Sequence, residues 1–90
     1  MIPAESIALE TDRLVGRFPR EASLIAHLLA EDDAFRSICE DWVLAKDALA
    51  AQLGRRPIEQ DPEKIADYRR LVAELEDEIL GVLDHTSRSR

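Results

Sequence analysis

The chain has 90 residues, of which 34% are charged and 46% are apolar, and its formal net charge is −7. This size and composition predict one small domain, and the acidic balance argues against broad binding to a nucleic-acid backbone. No apolar run reaches the length of a membrane span, and we expect no signal peptide, because the N-terminus lacks a basic start and an apolar run. The single Cys39 fits a reducing compartment. We therefore expect a cytoplasmic protein without a membrane anchor.

The N-terminal segment, residues 1–17, allows two interpretations. It forms either a weak helix over 6–15 that ends at Gly16, or a frayed terminus without a packing partner. Three apolar residues would lie on one side of the helix: Ile7, Leu14 and Val15. The sequence leaves both interpretations open.

A short helix over 20–30 is predicted after the break at Phe18-Pro19. Its apolar residues fall on one face: Leu24, Ile25, Leu28 and Leu29. Asp32 is a favourable N-cap for the helix that follows. Since the connection is short, the two helices are expected to be antiparallel neighbours.

Two long helices, 33–53 and 62–83, are predicted from apolar positions that step by three and four residues. In the first helix they are Phe35, Ile38, Trp42, Ala45, Leu49 and the polar Gln52. In the second they are Ile65, Tyr68, Val72, Leu75, Ile79 and Val82. This spacing is typical of a narrow coiled-coil seam.

The two seams match when one helix is folded back on the other. Each facing pair of residue numbers then sums to 117, so that Trp42 faces Leu75, and Gln52 lies near the loop, where we expect it to reach water. Gly54 suits a helix end, and Asp61 suits the cap of the next helix. The sequence therefore predicts an all-α fold: an antiparallel two-helix coiled-coil-like hairpin preceded by a short helix. The hairpin domain would cover residues 18–84, followed by a mobile basic tail, 85–90.

Several apolar residues lie outside the seam and would be exposed if only the hairpin folded. The candidate self-association residues are Leu24, Leu28, Val43, Leu44 and Leu80. Burying one such side chain is worth about 1.5–3 kcal/mol. We therefore predict a homo-oligomer of undetermined size.

The register also brings ten acidic residues to the open end of the hairpin, with Arg36 as the one basic residue among them. The acids are Glu31, Asp32, Asp33, Glu40, Asp41, Glu74, Glu76, Asp77, Glu78 and Asp84. One interpretation is a docking surface for a basic protein, with candidate residues Glu40, Asp41, Glu74, Glu76, Asp77 and Glu78. The other is a solvated face that keeps the protein soluble. Both interpretations stay open.

No pattern typical of an active site is present. His27 is expected to be partly exposed and Cys39 to be a small buried apolar residue, while His85 belongs to the tail, so no metal-ligand spacing arises. A phosphate-binding glycine loop and a convergent nucleophile–base pair are also missing. We predict a non-enzymatic protein with no catalytic residue, metal or cofactor that acts through protein–protein contact. The alternative is a nucleic-acid-associated regulatory protein that uses Arg55, Arg56 and the tail arginines.

The assembled residues resemble the YdcH-like family of small bacterial proteins of unknown function. The similarity covers residues 18–83, and the residues that carry it are Phe18-Pro19, Leu24, Leu28, Glu31-Asp32, Phe35, Ile38, Glu40-Asp41, Trp42, Leu49 and the stretch Leu75–Leu83. The chain has Asp32-Asp33 where members often have Asn-Pro, and Ala45 where they have leucine. The resemblance implies a helical hairpin, often after a short helix, and it transfers no catalytic residue.

Overall fold

The computed structural model describes residues 4–88, with side chains described from residue 11 onward. Within this range the chain forms four α-helices and two short 3₁₀ turns, and it contains no strand. The helices are α1 (Ala4–Arg17), α2 (Ala22–Glu31), α3 (Asp33–Leu53) and α4 (Pro62–Arg88), and the 3₁₀ turns are Pro19–Glu21 and Pro57–Glu59. The prediction of an all-α fold is confirmed.

The N-terminal segment is helical over α1, which continues through Gly16 to Arg17. Leu14 is fully buried, and its carbonyl oxygen accepts a 2.7 Å hydrogen bond from the Phe18 N–H, so the helical turn extends past the glycine. Burial of Leu14 and Phe18 in the core gives this helix the packing partner that a free terminus lacks. Ile7 was also predicted to lie on the apolar side of this helix, and its side chain is outside the described part of the structure.

The short helix begins two residues later than predicted, at Ala22, because Pro19 opens a 3₁₀ turn that precedes it. The long helix α3 has the predicted bounds. Asp32 caps it as expected, since the Asp32 carboxylate accepts a 3.0 Å hydrogen bond from the Phe35 N–H.

Helices α3 and α4 make the most extensive contact in the described structure, and residues from both enter one core. This packing is consistent with the predicted hairpin. The expectation that Gln52 reaches water is wrong, because the residue is only 6% exposed. Its side-chain oxygen accepts a hydrogen bond of 3.2 Å from the Asp61 N–H, which supplies a partner for a donor at the start of α4.

Asp61 caps α4 by accepting hydrogen bonds from the backbone N–H groups of Glu63 and Lys64, at 3.0 and 3.2 Å. The helix continues to Arg88, beyond the predicted end at residue 83. Residues 85–88, predicted as a mobile tail, therefore belong to the helix, and residues 89–90 of that tail lie outside the described residues. In this last turn Arg88 lies 3.5 Å from Asp84, four residues earlier, and such a pair of opposite charges supports a helix.

The remaining helices pack on one another and on α3: α1 contacts α2 and α3, and α2 contacts α3. The described molecule is elongated, with extents of 50 × 27 × 21 Å, so much of each long helix stays at the surface. Among the described residues, none of the helices has the length and apolar character needed to cross a membrane.

Candidate protein–protein interface

An apolar groove of about 380 Å³ lies between α3 and α4. Its apolar lining consists of Leu44, Ala45, Ala48, Tyr68, Leu71 and Leu75, and Asp41 also borders it. Leu44 is 66% exposed and Leu71 is 42% exposed. Among the described side chains, none from α1 or α2 lines this groove. It is therefore an apolar surface that the described side chains of the other helices leave uncovered.

The shape of the groove follows from residue spacing and size. Leu44 and Ala48 are four residues apart on α3, and Leu71 and Leu75 are four apart on α4, so each pair occupies one helix face. The small side chain of Ala48 leaves space beside the exposed leucines Leu44 and Leu71, whereas a larger side chain at position 48 would fill the groove. A concave apolar surface with a few polar groups at its border is typical of a binding site.

The five residues predicted to mediate self-association do not form one surface. Leu24 and Leu28 are buried in the core of the single chain, because α2 packs with this stripe inward, and Val43 is half-buried against the same core. Leu44 lies in the groove. Leu80 is partly exposed beside Phe18 and Pro19, in a separate depression of about 260 Å³.

Leu71 is the interface candidate that sequence reasoning missed. It directly precedes the seam residue Val72, just as Leu44 directly precedes the seam residue Ala45. The signal that singled out Leu44, a large apolar side chain beside the seam, was therefore also present at Leu71.

The acidic residues do not all remain available to a partner. Glu76 is mostly buried as a side chain, at 15% exposure, and its carboxylate lies 3.2 Å from the Arg17 guanidinium of α1. Glu40 is half-buried, while Glu74, Asp77 and Glu78 are exposed on α4 and Asp41 is exposed at the groove.

Arg36 is thus not the one base at this end of the fold. Arg17 from α1 pairs with Glu76, and Arg88 lies 3.5 Å from Asp84. The hairpin register did not include Arg17, because it placed only the two long helices, and it did not include Arg88, because residues 85–90 were predicted to be a mobile tail. Arg36 itself bridges to Asp33 at 3.1 Å and donates hydrogen bonds to the backbone carbonyls at the end of α2.

The loop between α3 and α4 contains hydrogen bonds among its own residues. The guanidinium of Arg56 lies 2.6 Å from the Glu59 carboxylate, and Gln60 donates a 2.9 Å hydrogen bond to the Arg55 carbonyl. One of the two loop arginines is thus already paired with an acid. Ile58 at the loop tip is 91% exposed.

The side chains considered for metal or thiol chemistry are dispersed. His27 and His85 are exposed, and Cys39 is fully buried in the core, as expected of a small apolar residue. Over residues 11–88, no group of three or more His, Cys, Asp or Glu side chains is arranged to hold a metal ion. Trp42 is buried with its ring under the Lys46 ammonium, 5.5 Å from the centroid.

Comparisons of the chain with protein-family models, with curated proteins and with solved structures give no significant match. The resemblance to the YdcH-like family therefore stays a prediction.

Proposed function

We propose that this is a non-enzymatic cytoplasmic protein that acts through protein–protein contact and self-associates through the groove between α3 and α4. In this proposal α3 and α4 form an antiparallel hairpin in the register whose facing numbers sum to 117. The supporting observation is the pair of exposed leucines, Leu44 at 66% and Leu71 at 42%, across one concave surface. Water around these side chains is released when a second chain covers them, which favours association.

The two leucines define the expected strength of the contact. Full burial of a leucine is worth about 1.5–3 kcal/mol, so the exposed fractions of Leu44 and Leu71 leave about 2–3 kcal/mol per chain. A symmetric pair of chains would gain about twice that amount. Association costs about 4–15 kcal/mol in lost freedom of motion, so the leucines alone offset only the lower part of this cost. Other groups on the face must contribute at least about 2 kcal/mol more for a dimer with a Kd of about 1 mM, because that Kd corresponds to about 4 kcal/mol.

Sedimentation equilibrium over a concentration range up to about 1 mM tests the proposal, because that range covers weak association. The wild-type chain is expected to dimerise, and Leu71→Glu is expected to be monomeric, since a carboxylate in an apolar contact loses its hydration. Ile58→Glu is the matched control: it places the same charge at an exposed apolar site in the loop, and dimerisation should persist. A monomeric wild type over the whole range, or a Leu71→Glu variant that dimerises like wild type, would refute self-association through the groove.

The acidic residues and the family resemblance belong to the same proposal. Asp77 is the exposed acid that we propose as a contact for a basic protein partner, together with Asp41, Glu74 and Glu78 where the groove is unoccupied. Glu76 is the weakest candidate for this role, because Arg17 already pairs with it. We also propose that the chain is a member of the YdcH-like family.

A further inference from the structure

The outer surface of α4 carries a stripe of three exposed residues, Lys64, Leu71 and Glu78, spaced by seven residues. Seven residues make nearly two helical turns, so the three side chains lie along one side of the helix. The groove leucine, Leu71, is midway between a base and an acid. A stripe with this order is complementary to itself when a second copy is rotated by 180° about Leu71.

Helix α3 carries a related pattern in the opposite chain direction. Asp41 and Ala48 line the groove, and Arg55 follows seven residues later, in the turn after the helix. In the hairpin register, Asp41 lies level with the segment between Glu74 and Glu78, and Arg55 lies near the start of α4, where Lys64 stands. One end of the stripe is thus acidic, and the other carries Lys64 and Arg55 with the exposed acids Glu63 and Asp67 beside them.

We propose that the occupant of the groove is a second copy of this chain, docked antiparallel about a two-fold axis near Leu71. This inference rests on the proposed self-association and specifies its geometry. Lys64 of each chain then lies opposite Glu78 of the other, and Leu71 packs against its own counterpart. The same register brings the Tyr68 hydroxyl toward Glu74 of the second copy, where it can donate a hydrogen bond.

Charge complementarity selects this orientation over the parallel one. A parallel pair of α4 helices would place Glu78 against Glu78 and Lys64 against Lys64, and like charges at a contact oppose association. The antiparallel pair converts both repulsions into attractions without changing the contact between the leucines.

Charge reversal tests the pairing. Lys64→Glu and Glu78→Lys should each weaken their own homodimer about tenfold, because each variant turns two exposed ion pairs into repulsions. Mixed in equal amounts, the two variants should form a heterodimer of wild-type affinity, since each acid again meets a base. Arg70→Glu and Asp77→Lys are matched controls on another side of α4, where both residues are exposed, and their homodimers should be unaffected.

Disulfide trapping tests the direction of the two chains. Under mild oxidation Leu71→Cys should form a covalent dimer, because the two-fold axis brings the introduced thiols together. Glu78→Cys should not, since its two thiols would be roughly 21 Å apart along the helices at 1.5 Å rise per residue. The wild-type chain serves as a control for Cys39, which is fully buried.

The results of these experiments distinguish the antiparallel geometry from self-association through the groove, on which it rests. A covalent dimer of Glu78→Cys, or a mixture of the two charge variants that associates no better than either alone, would overturn the antiparallel geometry. In that case a monomeric Leu71→Glu variant would still support self-association through the groove. If Leu71→Glu associates like wild type, both ideas fail.

Discussion

Truncation of Leu75 to alanine probes the core and the groove together. Leu75 is 7% exposed and belongs to the buried core that contains Trp42, and it also lines one wall of the groove. The substitution removes most of the side chain in the layer where the sequence register places it opposite Trp42. The cavity that remains lies between the core and an open surface.

The expected loss of stability is about 2–3 kcal/mol, in the lower part of the range of about 2–5 kcal/mol typical of buried leucine truncations. The expected loss lies in the lower part of this range because Leu75 borders the groove, so that neighbouring side chains and water can move into the space left by the truncation. For a domain of this size such a loss lowers the melting temperature by about 10–20 °C. Ile79→Ala should cost more, since Ile79 is fully enclosed.

Urea unfolding followed by circular dichroism measures this loss. The measurement is made at several protein concentrations, because self-association would raise the apparent stability as concentration increases. Leu53→Ala is the matched control: it removes the same atoms from a leucine that is 46% exposed, and it should cost less than about 1 kcal/mol. An unchanged midpoint for Leu75→Ala, or equal losses for the two variants, would refute the packing assigned to α4.

Three further substitutions test individual contacts by urea unfolding. Asp32→Ala removes the cap of α3 and should cost about 0.5–2 kcal/mol, so a loss below this range would contradict the capping role. Gln52→Leu leaves the Asp61 N–H without its side-chain acceptor and should cost about 1–3 kcal/mol, whereas an unchanged stability would show that water replaces the bond. Arg17→Ala breaks the partly exposed pair with Glu76 and should cost less than about 1 kcal/mol, with a difference from wild type that shrinks at high salt.

The bounds of α3 and the start of α4 were predictable because local chemistry determines them. Asp32 and Asp61 each accept the backbone N–H bonds expected of an N-cap, and Pro62 opens α4. Such signals act within one helical turn, so they can be identified without knowledge of the tertiary structure.

The helix α1 was not predictable in the same way. Glycine in a helix costs about 1 kcal/mol relative to alanine, so Gly16 indicated a helix end. Burial of Leu14 and Phe18 in the core outweighs that cost, and this burial depends on contacts with distant parts of the chain. The end of α4 was placed too early for another reason: residues 85–90 carry no apolar anchor, yet the helix continues to Arg88, which pairs with Asp84.

Only part of the candidate interface could be predicted from the sequence, because its exposure also depends on the tertiary structure. Periodicity showed that Leu44 lies off the seam, but it could not show whether another helix of the same chain covers a given residue. For Leu24 and Leu28 such a cover exists, and for Leu44 and Leu71 it does not. Distinguishing the two cases requires the positions of α1 and α2, which the sequence left undetermined.

The groove leucines and the charges around them have different roles in the proposed dimer. Exposed ion pairs contribute little free energy, because water already solvates both partners well, whereas covering Leu44 and Leu71 removes apolar surface from water. Opposite charges at the two ends of a groove nevertheless penalise every orientation that brings like charges together. In this dimer Leu44 and Leu71 would therefore supply most of the affinity, while Lys64 and Glu78 would determine the orientation.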